Sequence, residues 1–288
     1  MTPSLTERIP HGASSRVNWR TTGLWLLLAA IVAAFAFPFL YLILTSFKTP
    51  GAAIAVPPTI FPDTWSIENY RQALDTPGVR SSFLHSLSAA VMSTVLSLLL
   101  AVPAAYGATR FAGSAGRSVL LAVLVTRIVP PVAIGVPMVS LMRDLQLSDS
   151  TLGLALAHTT ISLPLSIWLM ASFFEAVPRE LEEAARVDGS GRLRALGQIV
   201  LPLVSGGIAV TGIFGFLASW NEFLFALLLT ASRAQTTPIV IANFQTQYGL
   251  QWGSMTALAT VYSIPVVLLT LGLQRRIVAG MTLGAVKG

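Results

Sequence analysis

The stretch LEEAARVDGSGRLRALGQIVLP, residues 181–202, decides the fold of this chain, since it is a polar segment between long apolar runs. Only 30 of the 288 residues are charged, and eight of these lie between Arg179 and Arg194. Pro178 suits the first turn of a helix, because its missing N–H would have no partner there. Three glutamates follow it near the positive end of the helix dipole. The segment therefore predicts a short helix outside the apolar runs.

The second half of this segment predicts another short helix. Gly189 offers the left-handed conformation that closes a helix at low cost, and Ser190 is a candidate N-cap for the stretch GRLRALGQIV. Leu181, Ala184 and Ala185 fall at i, i+3 and i+4, which predicts a narrow apolar stripe beside charges that stay solvated or reach a partner. We therefore expect two short helices at an angle, lying at a membrane surface.

The rest of the chain has the composition of an integral membrane protein. Hydrophobic residues make up 54% of it and the mean hydropathy is +0.73, values that exclude an ordinary soluble domain. Cysteine is absent, which excludes a disulfide framework and a thiolate metal site. Windows of about 20 apolar residues predict six membrane-spanning helices, at residues 23–46, 84–107, 118–141, 151–174, 203–230 and 256–274.

The distribution of basic residues predicts the orientation. Twelve lie in the loops expected inside and five in those expected outside. Since cytoplasmic loops carry the excess of Lys and Arg, both termini and the polar segment 175–202 are expected in the cytoplasm. The first span is longer than a signal-peptide core and should remain as an anchor. The predicted organisation is a cytoplasmic segment, 1–22, followed by a transmembrane domain, 23–288.

Two loops, residues 48–83 and 231–255, are long and fall on the external side. The first is rich in proline and then predicts a short helix at SIENYRQAL. It is interpreted either as a surface connector or as a docking surface for an external partner.

Polar residues inside the predicted spans are the other candidates for function. Arg127 lies near the middle of the third span, so it should face the protein interior or a water-filled path. Structural pairing and lining of the path remain open for it. Asn221 and Glu222 either line the outer pathway or contact a binding protein, or they cap a helix break. His158 is expected to be a hydrogen-bonded interior residue, and Glu222 is not assumed to pair with Arg127.

Enzyme motifs are missing from the sequence. The stretch GSAGRS, residues 113–118, lacks the Gly-Lys-Ser/Thr ending of a phosphate-binding loop and lies in a basic loop between spans. No HExxH, metal-ligand cluster or nucleophile motif is present. The chain is therefore not expected to be an enzyme.

The polar segment resembles the EAA loop of binding-protein-dependent ABC importer permeases at every position of that motif. The matching residues are Glu183, Ala184, Ala185, Gly189, Ile199, Leu201 and Pro202. The stretches TRIVPPVAIGVP, SWNEFLFALLLT and GMTLGAVKG are similar to the smaller, maltose-importer-type permease of the carbohydrate branch. Among sugar importers, the chain most resembles the trehalose-type systems of actinobacteria.

The resemblance implies an all-α fold of six transmembrane helices, that of type I ABC importer (MetI-like) permeases, with both termini cytoplasmic. It makes 175–202, with Asp188 beside the motif residues, a coupling helix seated on an ATPase. Arg127, Asn221 and Glu222 become candidates for the translocation path. The chain would move a sugar or oligosaccharide inward, with trehalose or a related disaccharide as the best guess.

The same resemblance implies partners in the bacterial cytoplasmic membrane. They are a second permease that completes a heterodimer, two ATP-binding-cassette subunits and an external, lipid-anchored solute-binding protein. This chain would bind no cofactor or metal, and ATP and Mg would lie on the partner ATPase. The tail, residues 281–288, is expected to approach that ATPase pair.

Two other functions remain as alternatives. A secondary transporter or channel would work without an ATPase, but the complete EAA loop and the lack of internal symmetry disfavour it. A membrane scaffold without transport would leave Arg127 and Glu222 unexplained.

Overall fold

The computed structural model describes residues 19–246 and 249–285, and most of this part is α-helical. The helices are α1 (Trp19–Ser46), α2 (Glu68–Asp75), α3 (Val79–Arg110), α4 (Gly113–Val125), α5 (Pro131–Asp144), α6 (Thr151–Glu175), α7 (Arg179–Val187), α8 (Arg192–Ala195), α9 (Leu201–Leu203), α10 (Ser205–Trp220), α11 (Leu224–Leu229), α12 (Thr237–Ala242) and α13 (Trp252–Ala285). Smaller elements are the 3-10 helices Ala52–Ile54 and Thr126–Ile128, a π-helix at Leu196–Val200, and an antiparallel hairpin of β1 (Gln245–Thr246) and β2 (Gly249–Leu250).

Four described helices are long and apolar enough to cross a membrane, and two bent pairs could each provide one more span. The four are Thr22–Ser46, Val79–Arg110, Thr151–Glu175 and Trp252–Gly272. The bent pairs are Ala115–Ile128 with Pro131–Asp144, at 91°, and Arg192–Leu203 with Ser205–Trp220, at 77°. Most of the predicted segment 1–22 and the last residues of the tail, 286–288, lie outside the described residues.

The region predicted as the third span, 118–141, is not one straight helix. Its two halves meet at 91° around Val129, which is extended with φ −66° and ψ 121°. The consecutive prolines Pro130 and Pro131 explain the break, because the residue before a proline is pushed out of the helical region and a proline has no N–H to donate. Arg127 therefore lies beside a sharp bend.

The region predicted as the fifth span, 203–230, is also interrupted. The helix α10 ends at Trp220, residues 221–223 leave the helix, and α11 begins at Leu224. The Glu222 carboxylate accepts the N–H groups of Phe225 and Ala226 at 2.8 and 3.1 Å. These bonds satisfy donors that a new helix start leaves without partners.

The interior is formed chiefly by α3, α6 and α10. The face that α3 buries consists largely of small side chains: Ser82, Ser86, Ala89, Ala90, Ser93, Ser97, Ala101 and Ala105. Small residues let membrane helices approach closely, and hydroxyls bond across the contact. One such bond joins Ser97 Oγ of α3 to Ser162 Oγ of α6 at 2.6 Å.

The segment 48–83, which is expected to be external, is packed against the ends of helices. The predicted short helix is present as α2. Its buried Asn69 donates through Nδ2 to the carbonyls of Ser46 and Lys48, at 3.1 and 2.6 Å. A Cβ on Gly253 of α13 would lie 2.2 Å from Asn69 Oδ1, so this approach requires glycine. The segment is therefore packed over the last turn of α1 and the first turn of α13.

Candidate functional site

The turn after α7 has the backbone that the sequence predicts. Gly189 has φ +84°, which confirms the expected left-handed conformation. Its N–H bonds to the carbonyl of Arg186 at 3.1 Å, and the N–H of Ser190 bonds to the carbonyl of Ala185 at 2.9 Å. This pair of bonds closes the end of a helix in a Schellman motif. Gly189 thus sets the direction in which the chain leaves α7.

The predicted N-cap at Ser190 is wrong. The helix α8 begins at Arg192 with Gly191 as its N-cap, and no side chain caps it. The reason is that the Ser190 backbone closes α7, while Gly191 is extended at φ −70° and ψ 159°. After α8 the chain continues through the π-helix Leu196–Val200, an element often found at functional sites.

The predicted apolar stripe on α7 is divided between two surfaces. Ala185 is buried against the protein, whereas Ala184 is exposed and Leu181 is 43% exposed. The side chains of Val187 and of Leu193 on α8 are even more exposed, at 88% and 83%. The outer face of this segment therefore carries apolar side chains that nothing in the described chain covers.

The inner face of α7 is held by Glu182, which the sequence reasoning did not single out. Arg110 Nε at the end of α3 lies 2.7 Å from Glu182 Oε1. The Tyr106 hydroxyl donates to Glu182 Oε2 at 2.6 Å. Arg110 also donates to the carbonyls of Phe174 and Val177, at 2.9 and 2.8 Å. The polar segment is thus tied to α3 and to the end of α6 through one ion pair and its hydrogen bonds.

A helical spacing argument could have indicated this anchor. Glu182 and Ala185 are three residues apart and share a face of α7, while Tyr106 and Arg110 are four apart and share a face of α3. The spacing alone does not show that the two faces meet, because the helices are far apart in sequence.

The remaining residues of the predicted coupling set occupy both surfaces. Glu183, Asp188 and Pro202 are exposed, and Ile199 and Leu201 are half-buried. The buried neighbour of the last two is Val200, which packs into the cluster formed with α3 and α6. The segment is therefore fixed along one side and open along the other.

The predicted pathway residues are not brought together. Arg127 is exposed in the 3-10 helix Thr126–Ile128 and has no ion pair or hydrogen bond among the residues that the structure describes. Asn221 is exposed and donates to the carbonyl of Leu217 at 2.9 Å. Glu222 is half-buried and pairs with His158. The open question of an Arg127–Glu222 pair is thus answered in favour of His158.

His158 has the hydrogen-bonded interior position that the sequence predicts. It is 1% exposed, its Nδ1 lies 2.7 Å from Ser219 Oγ, and its Nε2 lies 3.1 Å from Glu222 Oε2. Three helices, α6, α10 and α11, therefore meet at one buried polar cluster.

Among residues 19–246 and 249–285, no three His, Asp or Glu side chains converge as metal ligands would. The expectation that this chain binds no cofactor remains a prediction.

A family model described as binding-protein-dependent transport system inner membrane component matches residues 93–283. This match includes the polar segment 175–202, Arg127 and Glu222.

Similar proteins match over most of the chain. A probable ABC transporter permease of Sinorhizobium fredii is 38% identical, covering 92% of this chain and 95% of the relative. A sulfoquinovosyl glycerol transport system permease of Agrobacterium fabrum is 35% identical, covering 88% and 89%. A trehalose transport system permease of Mycobacterium tuberculosis is 34% identical, covering 92% and 97%.

A solved structure supports the same fold. The protein is a bacterial ABC transporter involved in the import of the acidic polysaccharide alginate, and the match has a TM-score of 0.75 at 21% identity. It covers 93% of this chain and 99% of that one. The fold is that of MetI-like ABC permeases, as predicted.

Proposed function

The chain belongs to the family of binding-protein-dependent transport system inner membrane components, and from that premise we propose that it is the permease subunit of an ATP-driven importer of a sugar or oligosaccharide. It is a multi-pass protein of the inner membrane. The similarity to permeases named for sulfoquinovosyl glycerol and for trehalose supports a saccharide substrate. Trehalose or a related disaccharide is the specific proposal.

One observation carries the coupling role: α7 has one fixed face and one open face. Its inner face is held by Glu182 and Ala185, as described above. Its outer face exposes Leu181, Ala184 and Val187 beside Glu183. Exposed apolar side chains grouped on a charged helix favour a protein partner. We take that partner to be an ATP-binding-cassette subunit, with α7 as the coupling helix.

The same contacts provide a route by which ATPase movement reaches the membrane helices. A displacement of α7 pulls on α3 through Glu182 and Arg110, since a charge-assisted contact between partly buried groups resists separation. It also reaches α10 through α8, the π-helix that contains Ile199, and α9, which contains Leu201 and Pro202. Inward transport would follow from alternating access of the permease pair.

The proposed topology has six spans with both termini in the cytoplasm. The third span is then the bent pair that meets at Val129, and the fifth runs from Leu203 through α10, with residues 175–202 outside the membrane. The transmembrane domain occupies 23–288 with 1–22 as a cytoplasmic segment. Arg127 and Asn221 are proposed to line the translocation path, and Glu222 to act beside it through the buried contact with His158.

The proposed assembly contains four kinds of subunit. A second permease completes the heterodimer, two ATP-binding-cassette subunits hold ATP and Mg, and an external lipid-anchored protein delivers the sugar. This chain hydrolyses no ATP and binds no cofactor in this scheme.

Purification of the chain from its native membrane tests the proposal. We expect an ABC ATPase and a solute-binding protein to co-purify, and the reconstituted complex to hydrolyse ATP faster when sugar-loaded binding protein is added. Uptake that persists when the ATPase is inactivated would contradict the proposal and favour a secondary transporter or channel.

Uptake of labelled disaccharides tests the substrate. Deleting this chain should abolish trehalose uptake. If trehalose uptake survived the deletion while uptake of another sugar vanished, the trehalose proposal would be wrong and the importer proposal would stand.

A further inference from the structure

The break in the helical chain at residues 221–223 is held on both sides by buried contacts. On the side of α11, Glu222 accepts the N–H groups of Phe225 and Ala226 and lies 3.1 Å from His158 Nε2. His158 belongs to α6, and its other ring nitrogen contacts Ser219 of α10. The buried His158 imidazole therefore links Ser219, which precedes the break, to Glu222, which lies within it.

On the side of α10, the break is held by Trp220. This side chain is 1% exposed and stacks on Tyr262 of α13, with ring centroids 4.5 Å apart. The Tyr262 hydroxyl donates to the carbonyl of Trp220. Phe83 of α3 contacts the same indole edge-on at 5.6 Å. The end of α10 is thus fixed to two further helices.

Two side chains of the break point away from these contacts. Asn221 is exposed, and Phe223 is 41% exposed. Asn221 and Phe223 flank Glu222 in sequence, so one inward-facing side chain lies between two outward-facing ones. A fixed inward Glu222 therefore determines where Asn221 and Phe223 are presented.

A purely structural cluster would be costly at this place. A polar, ionisable pair inside a membrane protein loses hydration, and well-packed apolar residues often stabilise a core equally well. Among the described residues, Glu222 is the charged group that contacts His158, and the neighbouring cluster of α5, α6 and α11 is apolar. The pair of His158 and Glu222 is therefore better explained by the conformation that it imposes on residues 221–223 than by a contribution to the stability of the fold.

We propose that His158 is a positioning residue for transport: it holds Glu222 inward, so that the turn at residues 221–223 presents Asn221 and Phe223 to the translocation path. This inference rests on the proposed function, since it assumes that the exposed side of the turn meets substrate or the second permease. His158 itself contacts no substrate in this scheme.

Thiol labelling of the intact complex tests the position of the turn. This chain has no cysteine, so Asn221→Cys introduces its one thiol. A membrane-impermeant maleimide labels this cysteine, and the labelling rate is read on the gel band of this chain. The rate is measured for Asn221→Cys alone and for Asn221→Cys combined with His158→Gln, with Glu222→Gln or with both. We expect either substitution to change the rate about fivefold. The double substitution should add little, because both remove the same contact.

A matched histidine provides the control. His85 of α3 contacts the carbonyl of Gln235 and lies outside the cluster, so His85→Gln should leave the labelling rate within about twofold. If His158→Gln prevents folding, Ser219→Ala removes one hydroxyl of the same cluster and should change the rate in the same direction. Equal rates for His158→Gln, Ser219→Ala and His85→Gln would overturn the inference.

Transport by the reconstituted complex separates positioning from stability. For His158→Gln, we expect sugar uptake per folded complex to fall about tenfold, with the half-saturating concentration of loaded binding protein unchanged and basal ATP hydrolysis retained. A loss of uptake in proportion to folded complex would show a structural role and overturn the inference. A complex of the unsubstituted chain without ATP-driven uptake would instead overturn the proposed function, which is a distinct result.

Discussion

Arg110 Nε lies 2.7 Å from Glu182 Oε1, and both side chains are nearly buried where the end of α3 meets α7. Glu182 is followed directly by Glu183, which is exposed. Two adjacent carboxylates of one short helix therefore face opposite surfaces. The first holds the helix to its own chain, and the second is free to meet another protein.

Replacing Glu182 by Ala should destabilise the folded chain. Arg110 would lose its carboxylate partner, and breaking such a pair costs about 3 kcal/mol when it is buried. Thermal unfolding of the purified complex measures the effect. Glu180→Ala on the exposed part of the same helix is the control and should change stability by less than about 0.5 kcal/mol. Equal effects of the two substitutions would show that the ion pair is not an anchor.

Replacing Glu183 by Arg should leave the chain inserted and folded but uncouple it. If Glu183 meets a basic group of the ATPase, the substitution creates a like-charge contact, which costs several kcal/mol in an interface. Sugar-stimulated ATP hydrolysis should fall about tenfold or more, and a reciprocal charge change on the ATPase should restore it. A Glu183→Arg complex that assembles and couples normally would refute the role of this residue.

Replacing Gly189 should misdirect the segment after α7. An added Cβ would meet nothing within 4 Å, so the penalty comes from φ +84° and not from crowding. Gly189→Ala should cost about 1 kcal/mol and Gly189→Val more, because a β-branched residue fits the left-handed region worst. Unlike Glu183→Arg, neither should be rescued by a charge change on the ATPase.

Gly191→Ala is the matched control for this test. Gly191 is two residues away, has φ −70° and would also meet nothing within 4 Å. Gly191→Ala should therefore cost less than Gly189→Ala, with only the small loss of alanine against glycine at the N-cap of α8, and should leave sugar-stimulated ATP hydrolysis intact. If Gly191→Ala and Gly189→Ala behaved alike, backbone strain would not explain the need for glycine.

Asp149, between α5 and α6, should give the loop at residues 231–234 a pH dependence at strongly acid pH. Partial burial alone would raise the pKa of its carboxyl, but the backbone N–H groups of residues 231–234 outweigh burial and lower the pKa to about 2. Because the folded pKa lies below the unfolded one, the stabilisation is complete above about pH 4 and is lost as pH falls through 2.

Hydrogen exchange of the amides at 231–234 measures this stabilisation. Wild-type protection should stay constant from pH 7 to about 4 and decline below, after correction for intrinsic rates. Asp149→Asn should lower protection already at pH 7, since an uncharged amide is a weaker acceptor. Asp144→Asn, an exposed residue at the end of α5, should not. Unchanged protection in Asp149→Asn would contradict the assignment.

Much of the fold could be predicted because a helix that crosses a lipid bilayer requires about 20 consecutive apolar residues. Apolar runs of sufficient length at 151–174 and 84–107 correspond to α6 and α3. The break after Val129 was also encoded, in two consecutive prolines, but a hydropathy window averages over it. Glu222 caps the interruption locally, as one interpretation of the sequence allowed, but His158 on another helix holds the capping carboxylate, and the sequence does not show that contact.

The candidate site also has features that the sequence determines and features that depend on tertiary packing. The amino-acid sequence by itself determined the membrane class, the two short helices of the polar segment and the left-handed turn at Gly189, because these depend on composition and on local backbone geometry. Only the tertiary structure decided that Glu182 faces Arg110 and that Glu222 faces His158. Helical spacing fixes which side chains share a face, whereas the packing of helices distant in sequence decides which faces meet.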